Sequence, residues 1–363
     1  MELHEILAHV GTAFQLPGTM DSYEVIPYGH INNTYKVTYR GGDGALTPYI
    51  FQRVNQNVFP NTVGLMNNID GVTSYISRKY PEENTLHFFR TAEDNCYFTD
   101  ETGFWRVTNY FESDTYNTCE DPEVIAGVGE AIGRFQLQLA DYDGQPLVET
   151  IPNFHNTRKR FNDLFASAQK DVCGRAASVA EELAYMQSVA ETASELSDRY
   201  AAGEFPRRVT HNDTKANNVL FEKGTKRPLV VIDLDTVMPG MAMYDFGDAV
   251  RFIVSTAAED EPDLKRIYFD TGKFRAFCSG YLKQVKNALT KPELDSLVLA
   301  AFSITLESAS RFLADYLDGD VYFKIHYPEH NLVRARSQIR LAQDIARKRD
   351  ELEWIVRETI EQA

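Results

Sequence analysis

Two short stretches of the chain carry carboxylate and amide side chains at a spacing suited to phosphate chemistry. The first is a polar run over residues 211–218, and the second is an apolar run over residues 229–232 that ends in carboxylates. If the fold brings Asp213, Asn218 and Asp233 together, their oxygen atoms form a site suited to Mg²⁺. One carboxylate of the three then remains available as a base.

Such a site supplies what the transfer of a phosphoryl group from ATP to a hydroxyl requires. The enzyme must orient the hydroxyl, neutralise the triphosphate, and keep the attacking and leaving oxygens in line. Two other interpretations of residues 211–218 are a polar turn that caps its own backbone and the site of a non-catalytic nucleotide-binding regulator. Asp235 is either a neighbour of the metal site or a turn residue that closes the strand.

The pattern His-x-Asp-x-x-x-x-Asn, with a further Asp twenty residues after the first, resembles the aminoglycoside phosphotransferase and choline kinase family. That family has the bilobal protein-kinase-like fold and uses ATP with Mg²⁺. The resemblance implies that Asp213 is the catalytic base and that Asn218 and Asp233 bind Mg²⁺. It also implies that His211 supports the loop. Asp245 lies in an Asp-Phe-Gly sequence like the magnesium-binding motif of protein kinases, but the resemblance implies that it braces the loop instead.

The loop expected to cover the nucleotide phosphates departs from the glycine-rich pattern of protein kinases. Residues 28–34 contain one glycine, so spacing alone favours an ordinary hairpin turn. The family resemblance instead implies a nucleotide loop, with Gly29, His30 and Asn32 near phosphate or substrate. These three residues are therefore candidates for nucleotide binding.

The usual nucleotide-binding lysine is also missing from its strand. Gln52 and Arg53 occupy that position, and strand alternation lets only one of them face the cleft, with Arg53 our candidate. By resemblance, the backbone of Tyr110, Phe111 and Glu112 forms an interlobe hinge that binds the edge of adenine. A plain amphipathic strand is the other interpretation of this segment.

Candidate acceptor-binding residues lie near the C-terminus. Glu307 and Arg311 are four residues apart on one helix face, a spacing that also makes a simple surface ion pair. Sugars are usually held by planar polar groups beside an aromatic platform, and Arg311 with Tyr322 fits that description. Within the family, the resemblance is closer to kinases that phosphorylate N-acetylglucosamine or N-acetylgalactosamine at the anomeric C1 hydroxyl. A kinase of another small alcohol, such as an amino alcohol, an aminoglycoside or another sugar, is the alternative.

The elements that must position these residues change character along the chain. Strand and turn signals predict a hairpin over residues 35–54, a helix over 61–77, and strands near 85–90, 96–99 and 104–111. Apolar residues at helical spacing predict helices near 122–139, 157–170, 178–202, 260–284, 291–317 and from 330 onward. We therefore expect an α+β, bilobal protein-kinase-like fold. It would have an antiparallel-sheet N-lobe over residues 1–111 and a mostly helical C-lobe over residues 112–363.

The amino-acid composition limits which binding partners and which cellular location we expect for this protein. The 363 residues carry 37 Lys and Arg against 53 Asp and Glu, a net charge of −16 that argues against nucleic acid and anionic membranes as partners. The opening residues resemble no targeting signal, and no apolar stretch approaches membrane-spanning length. The four cysteines show no paired spacing. We expect a cytoplasmic protein, monomeric or weakly homo-oligomeric, whose partners are ATP and a small-molecule sugar.

Overall fold

The N-terminal third forms an antiparallel sheet that lies between two helices. The computed structural model describes residues 1–27, 31–143 and 147–363. The helices are α1 (Leu3–Ala13) and α2 (Thr62–Lys79). The strands are β1 (Thr19–Ile26), β2 (Asn33–Arg40), β3 (Leu46–Arg53), β4 (Phe98–Asp100) and β5 (Gly103–Asn109). Their order across the sheet is β1-β2-β3-β5-β4, with every neighbouring pair antiparallel.

The two faces of this sheet differ because successive side chains on a strand point to opposite sides. Val37, Phe51 and Val107 are fully buried and form a core with α1 on the outer face. Gln52 pairs across the ladder with Arg106, and both side chains point to the opposite, inner face. The inner face is polar, and it faces α2 and the rest of the chain.

The remaining two thirds of the chain is mostly helical. Its helices are α3 (Pro122–Gln138), α4 (Thr157–Lys170), α5 (Ala180–Ala201), α6 (Ala242–Ile253), α7 (Thr271–Val285), α8 (Lys291–Asp295), α9 (Leu297–Asp318), α10 (His330–Arg347) and α11 (Arg349–Gln362). Its short strands are β6 (Ser113–Asp114), β7 (Arg208–Thr210), β8 (Val219–Glu222), β9 (Pro228–Val231) and β10 (Met238–Gly240). β8 pairs with both β6 and β9, and β7 pairs with β10.

Helix α9 is the central helix of this part, and its length and apolar character differ from the expectation that no apolar stretch approaches membrane-spanning length. By length and composition it is the single helix in the described residues that is apolar enough to cross a membrane, which the sequence analysis did not recognise. However, 78% of its apolar stretch is buried inside the protein. It packs against α4, α5, α6 and α10, so its apolar face is already covered by protein.

The antiparallel sheet followed by a mostly helical remainder confirms the predicted fold class. Several local predictions are wrong. Residues 85–90 form only an isolated bridge between Phe88 and Thr108, and the helix predicted from 260 begins at 271, where the Asp270 side chain caps α7. Helix α6 was not predicted, because Gly247 interrupts its pattern; a side chain there would meet the Ala300 carbonyl oxygen of α9 at 2.7 Å. The division at residue 111 stays a prediction.

Candidate active site

The catalytic loop is the segment between β7 and β8, and a buried carboxylate fixes its first turn. Asp245, on the first turn of α6, accepts hydrogen bonds from the backbone nitrogens of His211 at 2.9 Å and Asn212 at 2.8 Å. Asn212 has a φ of 64°, a left-handed conformation that costs a non-glycine residue about 1–3 kcal/mol. The two bonds to Asp245 help to hold the loop in this conformation, which is the position expected for a bracing residue.

His211 connects the loop to the strand that carries the next carboxylate. Its Nδ1 accepts a hydrogen bond from the backbone nitrogen of Asp213 at 3.3 Å. Its Nε2 lies 2.9 Å from the carbonyl oxygen of Ile232, which can only accept, so the ring proton sits on Nε2. His211 thus links the backbone at Asp213 to the backbone just before Asp233.

Asp213, Asn218 and Asp233 come together as the spacing predicts. The Asn218 side-chain nitrogen donates to the Asp213 carbonyl oxygen at 2.8 Å and lies 3.4 Å from its carboxylate. Asp233 has a φ of 62°, and its side chain keeps access to solvent although protein atoms crowd around it. Burial, followed by the charges of Asp235 and Asp213, raises the pKa of Asp233 to about 6.

This donor set suits a divalent cation. No group of three or more His, Cys, Asp or Glu side chains forms a ready metal site in residues 1–27, 31–143 and 147–363. The oxygen donors here are instead two carboxylates and one amide, which are ligands that Mg²⁺ accepts. Burial is the larger cause of the raised pKa of Asp233, and the charges of Asp235 and Asp213 add to it, so a bound cation would favour the ionised carboxylate.

Lys215 is a site residue that the sequence analysis missed. Its Nζ lies 2.8 Å from the Asp213 carboxylate, and the pKa of Lys215 is raised because this charge outweighs the opposing effect of burial. The backbone at Lys215 is extended, with φ −62° and ψ 149°. Lys215 follows Asp213 by only two residues, and a cation so close in sequence to the predicted base is the signal that could have identified it.

Two side chains of the sheet's inner face, and that of Asn32 just before β2, reach the same region. Arg106 and Asp235 form an ion pair whose side chains are 2% and 5% exposed. Asn32 donates to the other oxygen of Asp235 at 2.5 Å, and the Gln52 carbonyl oxygen accepts from Arg106 Nε at 2.9 Å. Asp235 is therefore a buried partner of a sheet cation, and Arg106 is a second residue that the sequence analysis missed. Arg106 could have been identified as the partner of Gln52 only if the register of β3 against β5 had been known.

The prediction that Arg53 faces the nucleotide is wrong. Because side chains alternate along β3, Arg53 lies on the outer face with Phe51, where it is exposed and covers Gly103. Gln52, the other candidate, takes the inner face. Gly29 and His30 lie outside the described residues, so of the predicted phosphate loop only Asn32 is placed, and its side chain is bonded to Asp235.

The predicted hinge residues lie between the two parts of the molecule. Tyr110, Phe111 and Glu112 join β5 of the large sheet to β6, which pairs with β8 beside the catalytic loop. The Tyr110 ring lies under Lys36, whose Nζ is 4.9 Å from the ring centroid, and Glu112 pairs with Lys223 at 2.6 Å. The three residues therefore form the connection between the two parts of the molecule, and their nucleotide contacts stay a prediction.

The predicted acceptor residues are also close to each other. The guanidinium of Arg311 lies 5.9 Å from the ring centroid of Tyr322, 5.4 Å from Phe323 and 5.6 Å from Phe154. Tyr322 is 69% exposed, so it offers a free ring face. Glu307 is not the surface partner of Arg311 that its spacing allowed, because its carboxylate is buried and bonded to His155 at 2.8 Å.

Fold and site together define an ATP-using phosphotransferase with a protein-kinase-like architecture. The model of the family described as APH, phosphotransferase enzyme family, matches residues 22–278, and the chain belongs to this family. It is a phosphotransferase that acts on an alcohol group.

Solved structures support the same fold at low sequence identity. An aminoglycoside phosphotransferase from Alicyclobacillus acidocaldarius is 11% identical with a TM-score of 0.59, over 98% of this chain and 96% of that one. An amicoumacin kinase in complex with AMP-PNP, Ca²⁺ and Ami is 13% identical with a TM-score of 0.57, over 94% and 93%. A choline kinase from Cryptosporidium parvum is 13% identical with a TM-score of 0.56, over 96% and 97%.

Proposed function

We propose that this kinase transfers the γ-phosphoryl group of ATP to the anomeric C1 hydroxyl of an N-acetylhexosamine, such as N-acetylglucosamine or N-acetylgalactosamine. The observation that carries the choice of acceptor is Arg311 with its aromatic neighbours. A guanidinium offers paired donors to ring hydroxyls or to an amide carbonyl, and the exposed Tyr322 ring can stack on the apolar face of a sugar.

A second arginine beside this cluster argues against a cationic acceptor. Arg160 on α4 donates to the Phe154 carbonyl oxygen at 3.1 Å, while its buried Nε has no hydrogen-bond partner within the described residues. Burial and the nearby charge of Arg311 lower the pKa of Arg160. Neither arginine forms an ion pair in the part of the chain that the structure describes. Two guanidiniums without a direct ion-pair partner would repel the ammonium groups of choline or an aminoglycoside, and they suit a neutral, oxygen-rich acceptor.

In the proposed reaction Asp213 orients the acceptor hydroxyl and takes its proton as the new bond to phosphorus forms. The bond between the γ-phosphorus and the β,γ-bridging oxygen breaks, and ADP leaves with the electron pair. Lys215, paired with Asp213 at 2.8 Å, holds that carboxylate in place. In a loose transition state the hydroxyl proton is lost late, so the orientation of the hydroxyl matters more than the strength of the base.

Asn218 and Asp233 are the residues that would hold Mg²⁺. The bound ion supplies charge neutralisation on the phosphates. Asp235 is bonded to Arg106 and Asn32, so it balances charge beside the site and keeps Asp233 oriented through the short chain between them. Asp233→Asn should raise the Mg²⁺ concentration needed for half-maximal turnover.

The proposed acceptor is tested with a panel of substrates and Mg²⁺-ATP. The panel contains hexoses, hexosamines, N-acetylhexosamines, choline, ethanolamine and an aminoglycoside, and the products are followed by phosphorus NMR. We expect the highest kcat/KM with an N-acetylhexosamine, and a product that is non-reducing and labile to mild acid, as a glycosyl phosphate is. A reducing, acid-stable product would contradict C1 as the position, and preference for a cationic alcohol would contradict the acceptor class.

The role of Arg311 is tested by Arg311→Gln against the matched variant Arg357→Gln. Arg357 lies on α11, is 63% exposed and approaches Glu353 only at 3.7 Å. Loss of a charged hydrogen bond to the sugar should lower kcat/KM for the acceptor by about 1–3 kcal/mol, with a much smaller effect on the KM for ATP. Equal acceptor kinetics for the two variants would remove Arg311 from the acceptor site.

A further inference from the structure

His155 lies behind the catalytic loop and contacts two groups that are far apart in the sequence. It directly precedes Asn156, the residue that caps the N-terminus of α4. Its Nδ1 lies 2.8 Å from the Glu307 carboxylate of α9, and its Nε2 lies 3.1 Å from the carbonyl oxygen of Asn212 in the catalytic loop. The His155 side chain is 13% exposed, so water competes little for these bonds. The imidazole therefore bridges α9 and the catalytic loop.

The identity of its partners determines how many protons the ring carries. A backbone carbonyl and an ionised carboxylate can only accept hydrogen bonds, so both ring nitrogens of His155 must donate. Glu307 also accepts from the Thr157 hydroxyl at 2.7 Å, as an ionised carboxylate does. Burial opposes charge on both groups, but their mutual attraction is stronger, because the pKa of His155 is raised and that of Glu307 is lowered. The shared proton therefore resides on the imidazole.

The other charged and titratable groups around His155 are consistent with a cationic ring. Helix α6 contributes Asp248, whose charge adds to that of Glu307, and α6, α4 and α9 also bring other titratable side chains near the pair. These are Tyr244, whose ring is 6.0 Å away, Arg251, which is paired with Asp248, and Arg160 and Arg311, which lie near Glu307. The nearest charges are the carboxylates, and they favour the imidazolium.

The carbonyl that His155 holds belongs to the peptide that carries Asp213. The same peptide's N–H, on Asp213, reaches His211 Nδ1 at 3.3 Å. This peptide plane is therefore held at its oxygen by one histidine and at its nitrogen by another. His211 must be neutral to accept there, whereas His155 must be charged to donate twice. Together they fix the rotation of the peptide and thus the direction in which the Asp213 side chain leaves the backbone.

We propose that His155 is a positioning residue that, as an imidazolium, clamps the Asn212 carbonyl to Glu307 and so ties the acceptor-side helix α9 to the orientation of Asp213. The inference rests on the proposed role of Asp213. Arg311 lies one turn after Glu307 on α9, and its guanidinium is 5.6 Å from the ring of Phe154, the residue before His155. An acceptor bound by Arg311 therefore contacts the turn of α9 that His155 holds through Glu307.

The clamp predicts a specific pH dependence. A histidine with a raised pKa keeps its proton to higher pH, so the clamp is complete below that pKa and is lost as the pH rises through it. We expect wild-type kcat to fall on the alkaline side, where the bond to Asn212 or to Glu307 breaks. In Glu307→Gln the stabilising charge is absent, so this fall should occur at lower pH.

The experiment measures kcat and both KM values against pH for the wild type, Glu307→Gln, His155→Gln and the control His9→Gln. His9 is an exposed histidine that also pairs with a carboxylate, Asp100, at 2.8 Å. His155→Gln should lose roughly tenfold or more in kcat, the order expected for one charged hydrogen bond, and should lose the alkaline fall itself. The KM for ATP should stay near the wild-type value, and His9→Gln should match the wild type throughout.

A measurement on the wild-type protein keeps the test independent of variant folding. With ¹⁵N-labelled histidine, an NMR pH titration should show the His155 imidazole with both nitrogens protonated to higher pH than the exposed His9, and Glu307→Gln should lower that pH. A neutral His155, or an alkaline fall that survives in His155→Gln, would overturn the inference. Failure of the proposed function is distinguishable, because it would appear as full turnover in Asp213→Asn while the His155 signal stays cationic.

Discussion

The catalytic loop, which contains Asp213, and the inner face of the N-terminal sheet, which pairs with Asp235, both lie near Asp233, but they are built in different ways. In the loop, Asp213, Asn218 and Lys215 contact one another within five residues of sequence. On the sheet, Arg106 reaches Asp235 across 129 positions of the chain, and Asn32 reaches it across 203. One region is a local motif and the other is a set of long-range pairs.

This difference determines which of the two regions can be recognised from the spacing of residues in the sequence. Local contacts depend on backbone geometry that neighbouring residues share, so their spacing is visible in the sequence. The sheet cation depends on the register of β3 against β5 and on the packing of the sheet over Asp235. The family's lysine position therefore gave the wrong residue, Arg53, while the charge that serves the site lies on another strand.

The largest expected effect tests the long-range region. Arg106→Met leaves Asp235 buried without its cation, which should destabilise the protein by about 3–5 kcal/mol and raise the KM for ATP. Arg53→Gln, on the opposite face, should change stability by no more than about 0.5 kcal/mol. Urea denaturation and steady-state kinetics measure both effects.

A second variant separates charge from packing at this pair. Arg106→Met/Asp235→Asn removes both charges and should regain much of the lost stability, because no buried charge is then unpaired. Equal effects of Arg106→Met and Arg53→Gln would mean that the assignment of faces on the sheet is wrong.

The next largest effect tests the local motif. Asp213→Asn keeps the shape of the side chain but removes the base, and it should lower kcat at least ~100-fold while nucleotide still binds. Calorimetric titration with ADP checks binding, and coupled detection of ADP release checks turnover. Asp295→Asn, at an exposed surface ion pair, is the control and should behave as the wild type. Near-normal turnover in Asp213→Asn would contradict the base assignment.

The smallest expected effect concerns Lys215, the cation that pairs with Asp213 in the catalytic loop. Lys215→Met removes the charge that pairs with Asp213, and it should lower kcat by roughly tenfold, about 1.4 kcal/mol. Lys215→Arg should regain part of this loss if charge is what matters. A loss seen only in thermal stability, with kcat intact, would make Lys215 a structural residue.

Much of the fold was predictable because amphipathic patterns persist over whole elements. The hairpin of β2 and β3 and helices α2, α3 and α4 lie where hydrophobic spacing placed them. Helix α6 escaped prediction because Gly247 and two acidic residues, Asp245 and Asp248, weaken its pattern, yet close contact with α9 requires that glycine. Tertiary packing there outweighs helix propensity.

For the site, the sequence by itself determined the chemistry of the loop: an Asp, an Asn and a second Asp at fixed spacing, with Asp245 further on. Only the tertiary structure decided their partners. It placed Arg106 against Asp235, it turned Glu307 inward to His155, and it put two acceptors around one imidazole. The physical reason is that hydrogen bonds and ion pairs depend on distance in space, and distances between remote segments are set by packing rather than by local sequence.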